Sequence, residues 1–565
     1  MNTQKTTGYP SIDKPWMKYY PNSEKKCTVP ETTIYQYIYD RNKDYMNDNA
    51  LMYYGCRISY KKLFAMVDRI AGVLSAQKVV EGDSILLCST QTPETLYLLM
   101  ACSKLGICAV MINPTLKEEQ IKKIVEESEA KYLFCLDKLY DAVKSVVKEH
   151  ENITTVIIPA TASLPFAIRI LMADRQNKIY EEKIIAWKNF LQMKVTAGNL
   201  VKTCQNNLVV VFSSGTTGEA KGIVHTNQSY VAMVAEYQNS GYPFQRGDVF
   251  LNQIPAFIAS GLSYLLMVPL AFGVCVMLEP VYQVDVLVKD IKKYKPDIVA
   301  PTKSFWIAAS ESGLLKKKDL KCVKIPATGG EPINEYDVKR LNELLHMYGC
   351  KQNMYIGYGM SELNGTAVAT PIEGGTLGSV GIPLPSMIVS AFNMDTGNEC
   401  KYKEYGEIRI QTPCHMKEYY HNPEQTQYFF WTDKEENVWC RTGDVGYVNA
   451  NGEVFVCGRT TESVQLESGK YVYFFEIEKI IQKEPEVAQC RIAYIEERNE
   501  WLVNLVLNDD VQKNIFYKKL DQVFERVTGK REPINCKLYK AFPLTPNGKC
   551  DMRTMKENFI KEMQV

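Results

Sequence analysis

Apolar and polar positions along the chain change period repeatedly, and each change marks an element. Over residues 59–76 apolar side chains recur at helical spacing, and the short run SILLC (84–88) that follows reads as a strand. The spacing then predicts a helix over 93–104, a strand over 109–113 and a helix over 117–129 opened by Thr115. Strands follow over 132–136 and 155–158. Strands alternating with helices predict a parallel, doubly wound sheet and so an α/β fold. The run NLVVVF (207–212), with its consecutive valines, has the continuous apolar character of a buried strand. Residues 260–278 are uncharged and nearly long enough to span a membrane. Pro269 and Gly273 interrupt them, which predicts a buried helix followed by a buried strand.

Further strand and helix signals run to ATGGEP (327–332), and NMYIGYGMSE follows at 353–362. GSVGIP (378–383) and GEIRI (406–410) open a more β-rich region, closed by WCRTGD (439–444) and GEVFVCGR (452–459). Past Arg459 strands (487–495, 502–507, 535–540) and helices (511–527, 551–563) alternate on a smaller scale, which predicts a small α+β domain with its own core. We therefore divide the chain into a large domain over 1–458 and a small one over 459–565. A chain of 565 residues exceeds one core, and 46% hydrophobic residues suffice to fill two.

The loop after the valine strand, SSGTTGEAKG (213–222), brings the first candidate chemistry. Gly215, Gly218 and Gly222 let backbone N–H groups converge on an anion. Ser213, Ser214, Thr216 and Thr217 add hydroxyl donors and Lys221 a positive charge, which suits a polyphosphate. A solvated turn has the same composition. The P-loop of nucleotide triphosphatases does not fit, because alignment on Lys221 requires glycine at Ala220 and a hydroxyl residue at Gly222.

Charge and cysteine content narrow the partners. Lys and Arg total 66 against 65 Asp and Glu, so no general attraction to nucleic acid or anionic membrane is expected. Seventeen cysteines, an odd number without a C-x-x-C pair, read as reduced thiols in a cytoplasmic protein. Five histidines and no clustered ligands argue against zinc. The N-terminus lacks an apolar h-region, so no secretory signal is expected.

SSGTTGEAKG with the following Ile223, Val224, His225 and Thr226 resembles the phosphate-binding signature of the adenylate-forming enzymes, which include acyl-CoA synthetases, adenylation domains of peptide synthetases and firefly-type luciferases. The resemblance implies that this loop holds the phosphates of ATP that leave as pyrophosphate. YGMSE (358–362) resembles the family's Y-G-x-T-E, with serine for the usual threonine. It implies Tyr358 on adenine, with Gly359 and Met360 beside it, Ser361 at the α-phosphate, and Glu362 on Mg²⁺. Gly329, Gly330, Glu331 and Pro332 resemble the backbone wall beside adenine. By the same resemblance Asp444 takes the ribose hydroxyls, Arg459 sits near ribose and phosphate at a domain hinge, and Lys549 bridges carboxylate and α-phosphate. The family rotates its small domain between half-reactions, which implies a mobile C-terminal domain here and places Gly469 near the attacking thiol. Thr461, Glu462 and Gln465 depart from the commonest hinge pattern. Residues 159–200, including SLPFAIRILMADRQ (163–176), resemble an insertion, for which packing on its own domain and an amphipathic contact with membrane or acyl substrate are both open.

The implied reaction is ATP- and Mg²⁺-dependent activation of a carboxylic acid as its adenylate, followed by transfer to CoA or a carrier-protein pantetheine. In amino-acid-activating relatives the acyl site begins F-D-x-S. Here Phe257, Ile258, Ala259 and Ser260 stand there, and isoleucine cannot neutralise a buried ammonium. Many acyl-CoA synthetases carry histidine at that place, so Ile258 departs from both patterns. With Gly261, Phe305, Trp306 and Gly357 nearby, an apolar pocket for a fatty or aryl acid is expected. An amino-acid-adenylating enzyme and a non-catalytic nucleotide- or acyl-binding homologue are the competing readings.

Overall fold

The computed structural model describes residues 6–21, 28–150, 152–165, 169, 184–201, 203–213, 220–466, 471–508, 513–543 and 550–563. The chain forms two compact units. One comprises residues 1–389, 409–441 and 449–454, and the other residues 390–408, 442–448 and 455–565. Residues 390–408, 442–448 and 455–458, on the N-terminal side of the boundary read from the sequence, therefore group with the second unit.

The first unit opens with the hairpin β1 (Asn49–Tyr53) and β2 (Cys56–Ser59), turned by Tyr54 and Gly55, both at positive φ. The alternating segments then lay down β3 (Ser84–Cys88), β4 (Cys108–Met111), β5 (Tyr132–Leu136), β6 (Thr154–Ile158), β7 (Ile184–Ala186), β8 (Asn207–Ser213) and β9 (Lys221–Thr226). With the short strand Glu418–Tyr419 they form an eight-stranded sheet, in the order Glu418–Tyr419, β9, β8, β4, β3, β5, β6, β7. The strands from β8 to β7 in that order run parallel, as the sequence predicts, while β9 turns back antiparallel on β8.

β7 is not apparent in the hydrophobic pattern, being only three residues of the stretch read as an insertion. It extends the sheet edge, and the helix after it (Trp187–Gln192) packs Trp187 and Phe190 on Phe134. SLPFAIRILMADRQ falls mostly outside the described residues.

A second, nine-stranded sheet contains β10 (Val249–Asn252), β11 (Cys275–Leu278), β12 (Ile298–Val299), β13 (Ile325–Gly329), β14 (Tyr355–Met360), β15 (Gly365–Ala369) and β16 (Ile382–Pro383). Its order is β16, β15, β14, β13, β12, β10, β11, β1, β2. The uncharged run at 260–278 becomes a helical passage through Ala259–Leu262, a π-helical turn Ser263–Met267 and Val268–Ala271, followed by β11. Burial of nearly all its side chains accounts for its lack of charge. No described helix is long and apolar enough to cross a membrane.

The second unit has its own core. Val487–Ile495 and Glu500–Leu507 pair antiparallel, Ile534–Leu538 joins the latter in parallel, and helix Phe474–Ile481 packs with them. Trp501, Phe474, Ile477 and Phe524 centre the apolar cluster, with Trp501 fully buried.

Within the first unit Glu236, on helix Asn227–Ser240, is completely buried and accepts hydrogen bonds from the backbone N–H and hydroxyl of Ser386. Burial pushes its carboxyl up to about 7 against the lowering effect of the Ser386 N–H. The folded state therefore holds a proton that the unfolded chain releases at lower pH, and stability falls as pH rises from the ordinary carboxylate range to about 7. Glu236→Gln is expected to gain on the order of 2 kcal/mol relative to wild type between pH 5 and 8. Urea denaturation midpoints at the two pH values check this, and a pH-independent difference contradicts it.

Candidate active site

The predicted phosphate loop joins two paired antiparallel strands. Ser213 ends β8, Lys221 begins β9, and the two residues pair across the antiparallel ladder. Ser214, Gly215, Thr216, Thr217 and Gly218 lie outside the described residues, as do Gly469 and Lys549. Gly222, on β9, allows a close approach. A Cβ there would stand 2.7 Å from Tyr420 Cβ and 2.9 Å from the Phe212 ring, and its carbonyl accepts the Tyr420 N–H at 2.8 Å.

β9 thus brings Lys221 beside strand Glu418–Tyr419, where Tyr419 connects two predicted site residues. Its hydroxyl donates to Glu362 Oε1 at 2.7 Å, and the Lys221 ammonium stands over its ring, 5.5 Å from the centroid. Gln425, in helix Pro423–Phe429, accepts from Lys221 Nζ at 3.0 Å. Glu362 and Tyr419 are both buried, so the bond to the carboxylate has little competition from water. The Met416 N–H also donates to the Glu362 carbonyl, fixing the backbone beneath the carboxylate.

Ser361 and Glu362 sit in a short 3₁₀ turn directly after β14, and His225 pins that turn from below. The imidazole is fully buried, and its Nε2 lies 2.7 Å from the Ser361 carbonyl. Burial lowers its pKa to about 4, so the ring is neutral at physiological pH and donates from Nε2. Two residues on, Asn364 is in the left-handed region (φ 61°), and its buried side-chain amide has no hydrogen-bond partner among the described residues. Those residues contain no cluster of three or more His, Cys, Asp or Glu side chains arranged to hold a metal. The oxygen donors present, the Glu362 carboxylate and the Ser361 hydroxyl, fit a hard cation such as Mg²⁺ that takes its remaining ligands from substrate phosphate.

Close backbone approach explains the glycines around this turn. A Cβ on Gly359 would lie 1.8 Å from the Gly365 carbonyl oxygen, and one on Gly329 would lie 2.6 Å from that of Gly357. Tyr358, part-exposed, and Met360 share the same strand. At the end of β13, Gly330 is exposed at φ 77°, and Glu331 turns its carboxylate onto the N-terminus of helix Lys303–Glu311. There it accepts from the Ser304 N–H at 2.9 Å and the Ser304 hydroxyl at 2.7 Å. Pro332 is held by Lys303 Nζ on its carbonyl at 2.6 Å.

The predicted acid pocket divides. Phe257 and Ile258, part-exposed, follow β10, and Gly261 permits the tight turn after them, since a Cβ would meet the Pro255 carbonyl at 2.5 Å. Phe305 stacks on Tyr282 with centroids 4.1 Å apart. Trp306 differs from the expectation. It has no exposed surface and donates its indole N–H to the Ala327 carbonyl at 3.0 Å, so it is a core residue on the inward face of its helix.

Asp444 and Arg459 belong to the second unit and are ion-paired, Nη1 to Oδ1, at 2.5 Å. Arg459 Nη1 also reaches the Thr442 carbonyl at 3.3 Å. The residues that sequence reading passed over are Tyr419, Gln425, Tyr282 and the anchoring role of His225. Tyr419 and Gln425 lie about 200 positions from Lys221, and only the sheet pairing of Glu418–Tyr419 with β9 brings them there.

Comparisons with known proteins bear on the family and the fold. The profile of the family described as AMP-binding enzyme matches residues 38–420. The chain is 24% identical to 4-coumarate--CoA ligase 3 of Arabidopsis thaliana, covering 89% of this chain and 86% of that protein. It is also 24% identical to a long-chain-fatty-acid--CoA ligase of Bacillus subtilis (strain 168), with 85% and 86% covered. Among solved structures, ATP-bound MatB from Rhodopseudomonas palustris superposes with a TM-score of 0.78 at 18% identity, over 94% of this chain and 99% of that one. An anthranilate CoA ligase in complex with anthranoyl-AMP gives the same TM-score at 17% identity, over 96% and 100%. A match over most of the chain and the fold shared with these structures lead to one conclusion: the protein belongs to the AMP-binding enzyme family of adenylate-forming ligases.

Proposed function

We propose that the protein activates an apolar carboxylic acid with ATP and passes the acyl group to CoA. The observation that carries this reading is the Lys221–Tyr419–Glu362 assembly, in which one tyrosine orients a cation for phosphate and a carboxylate for a divalent metal. In the first step a carboxylate oxygen attacks the α-phosphorus of ATP and pyrophosphate leaves. In the second the CoA sulfur attacks the acyl carbon, AMP leaves and the thiol proton is lost. Two anions must meet in the first step, so fixed cations and donors bear the developing charge. Glu362 would hold Mg²⁺, which would supply charge neutralisation on the phosphates.

Ile258, where an ammonium would need an acidic partner, and the part-exposed Phe257 and Phe305 support an apolar acid. The CoA ligases among the relatives support CoA over a carrier protein as acceptor. ATP–pyrophosphate exchange across fatty, aryl and amino acids, each with and without CoA, tests the reading. Exchange with apolar acids and thioester with CoA are expected, and exchange with amino acids alone overturns the substrate class.

Lys549 is proposed for the adenylating step alone. Lys549→Ala is expected to slow pyrophosphate exchange by about 10²–10³ while leaving thioester formation from supplied acyl-adenylate much less affected. Equal losses in the two assays contradict this. Tyr419→Phe keeps the ring under Lys221 and removes the donor to Glu362. It is expected to raise the Mg²⁺ concentration needed for half-maximal exchange roughly tenfold, with the rate recovering at high Mg²⁺. A lower rate with unchanged Mg²⁺ dependence assigns Tyr419 a role other than orienting Glu362.

A further inference from the structure

The near-even balance of charge over the whole chain hides a local excess. Helix Val284–Tyr294 closes on KDIKKYK (289–295), and LLKKKDLK (314–321) lies in the loop that leads to β13. Each stretch holds four lysines and one aspartate, and all of these lysines are exposed. The two stretches are packed together. Lys292 Nζ donates to the Leu314 carbonyl at 3.2 Å and faces Asp319 at 3.9 Å. The Leu320 N–H donates to the Tyr348 carbonyl at 3.0 Å, and a Cβ on Gly349 would stand 2.9 Å from Lys318 Cα. The exposed Lys351 and the end of helix Glu335–Met347 therefore join the same face.

Nearby acids do not cancel this charge. Asp290 is buried inside the fold, and Asp319, part-exposed, accepts the Lys316 N–H at 2.8 Å besides facing Lys292. At the border Lys324 stands between Asp248 and Asp297, at 2.7 and 2.9 Å. Among the described residues the ammonium groups of Lys316, Lys317, Lys318 and Lys321 have no such partner. Lysines in the last turn of a helix complement its dipole, which accounts for Lys292 and Lys293. The lysines of the loop have no helix end to complement and need another account. Leu314 and Met347 stand out of the same face, 44% and 65% exposed.

A cationic surface carrying isolated apolar side chains fits an anionic bilayer, because ammonium groups lie against lipid phosphates while the hydrocarbon enters the headgroup region. We propose that this face docks on an anionic lipid surface. A nucleic acid fits less well. Neither stretch contains arginine, whose planar fork suits phosphates and base edges, and the exposed Leu314 and Met347 find no partner on a duplex. A carrier protein fits less well for a reason of place. Asp297 and Lys324 directly precede β12 and β13, so the face lies at the amino ends of these strands, whereas Gly330 and Glu331 follow the carboxyl end of β13. A thiol bound for the candidate nucleotide site is needed at the other end of the strand. Docking on lipid leaves that end uncovered, and it does not depend on the ligase reading above.

Co-sedimentation of the full-length protein with vesicles tests this, with phosphatidylcholine alone and with phosphatidylcholine mixed with phosphatidylglycerol, at ~0.1 M salt. Binding is expected to the mixed vesicles only, and to be lost when salt is raised to ~1 M. Each lysine at such a surface contributes roughly fivefold, so the combined change Lys316→Gln, Lys317→Gln and Lys318→Gln is expected to weaken binding on the order of 100-fold. Leu314→Ser with Met347→Ser is expected to weaken it about tenfold. Thermal denaturation shows whether each variant is folded, and either one decides the matter if the other is not. Failure to bind mixed vesicles, equal binding to both compositions, or a folded variant that binds as wild type does overturns the proposal. Retention on duplex DNA at the same salt without sedimentation on mixed vesicles also overturns it, and assigns the face to nucleic acid.

Discussion

A carboxylate taken out of water must be given partners, and the burial of Glu362 is the constraint on which the rest of the site depends. The phenol of Tyr419 supplies one partner, and its placement requires strand Glu418–Tyr419 to lie on the edge of β9. That pairing needs a glycine at 222 for the strands to approach, and it sets Lys221 over the ring of the same tyrosine. Beneath the turn, an imidazole kept neutral by its own burial holds the Ser361 carbonyl. Each of these residues is costly alone and satisfied together, as expected of a preorganised polar site.

The hydrophobic pattern revealed much of this architecture and little of its cross-links. Continuous apolar runs such as 84–88 and 207–212 are buried strands because parallel sheets are covered on both faces, and the segment at 260–278 folds as helix and strand as its Pro and Gly require. β7 has no signature in the pattern because three residues at a sheet edge carry too little periodicity. Trp306 reads as pocket lining because an aromatic near Phe305 looks alike in sequence whichever way it points, and helical geometry turns it into the core. Tyr419 was invisible for a different reason. Its importance is a contact between segments far apart in the chain, and no local spacing encodes such a contact.

Glutamines have a comparable hidden role. Gln91 and Gln253 are nearly inaccessible, and each bridges carbonyl groups on loops that would otherwise carry unsatisfied acceptors. A neutral amide does this without the desolvation cost of a charge, so loops at the carboxyl ends of both sheets are joined at modest expense. The same loops carry Phe257, Ile258 and Val281, so the shape of the candidate acid pocket depends on side chains that need not line it.

The strand pairing that presents Lys221 also fixes where it points. Ser213 and Lys221 are the last pair of the antiparallel ladder between β8 and β9, so the lysine's side of the sheet is set by that register. A single-residue slip within β9 would turn Lys221 away from Tyr419, because alternate side chains face opposite sides of the sheet. The pairing of β9 therefore sets the position of the lysine over Tyr419. The lysine is thus located by its place in the ladder, opposite Ser213, and not by the residues that join the two strands.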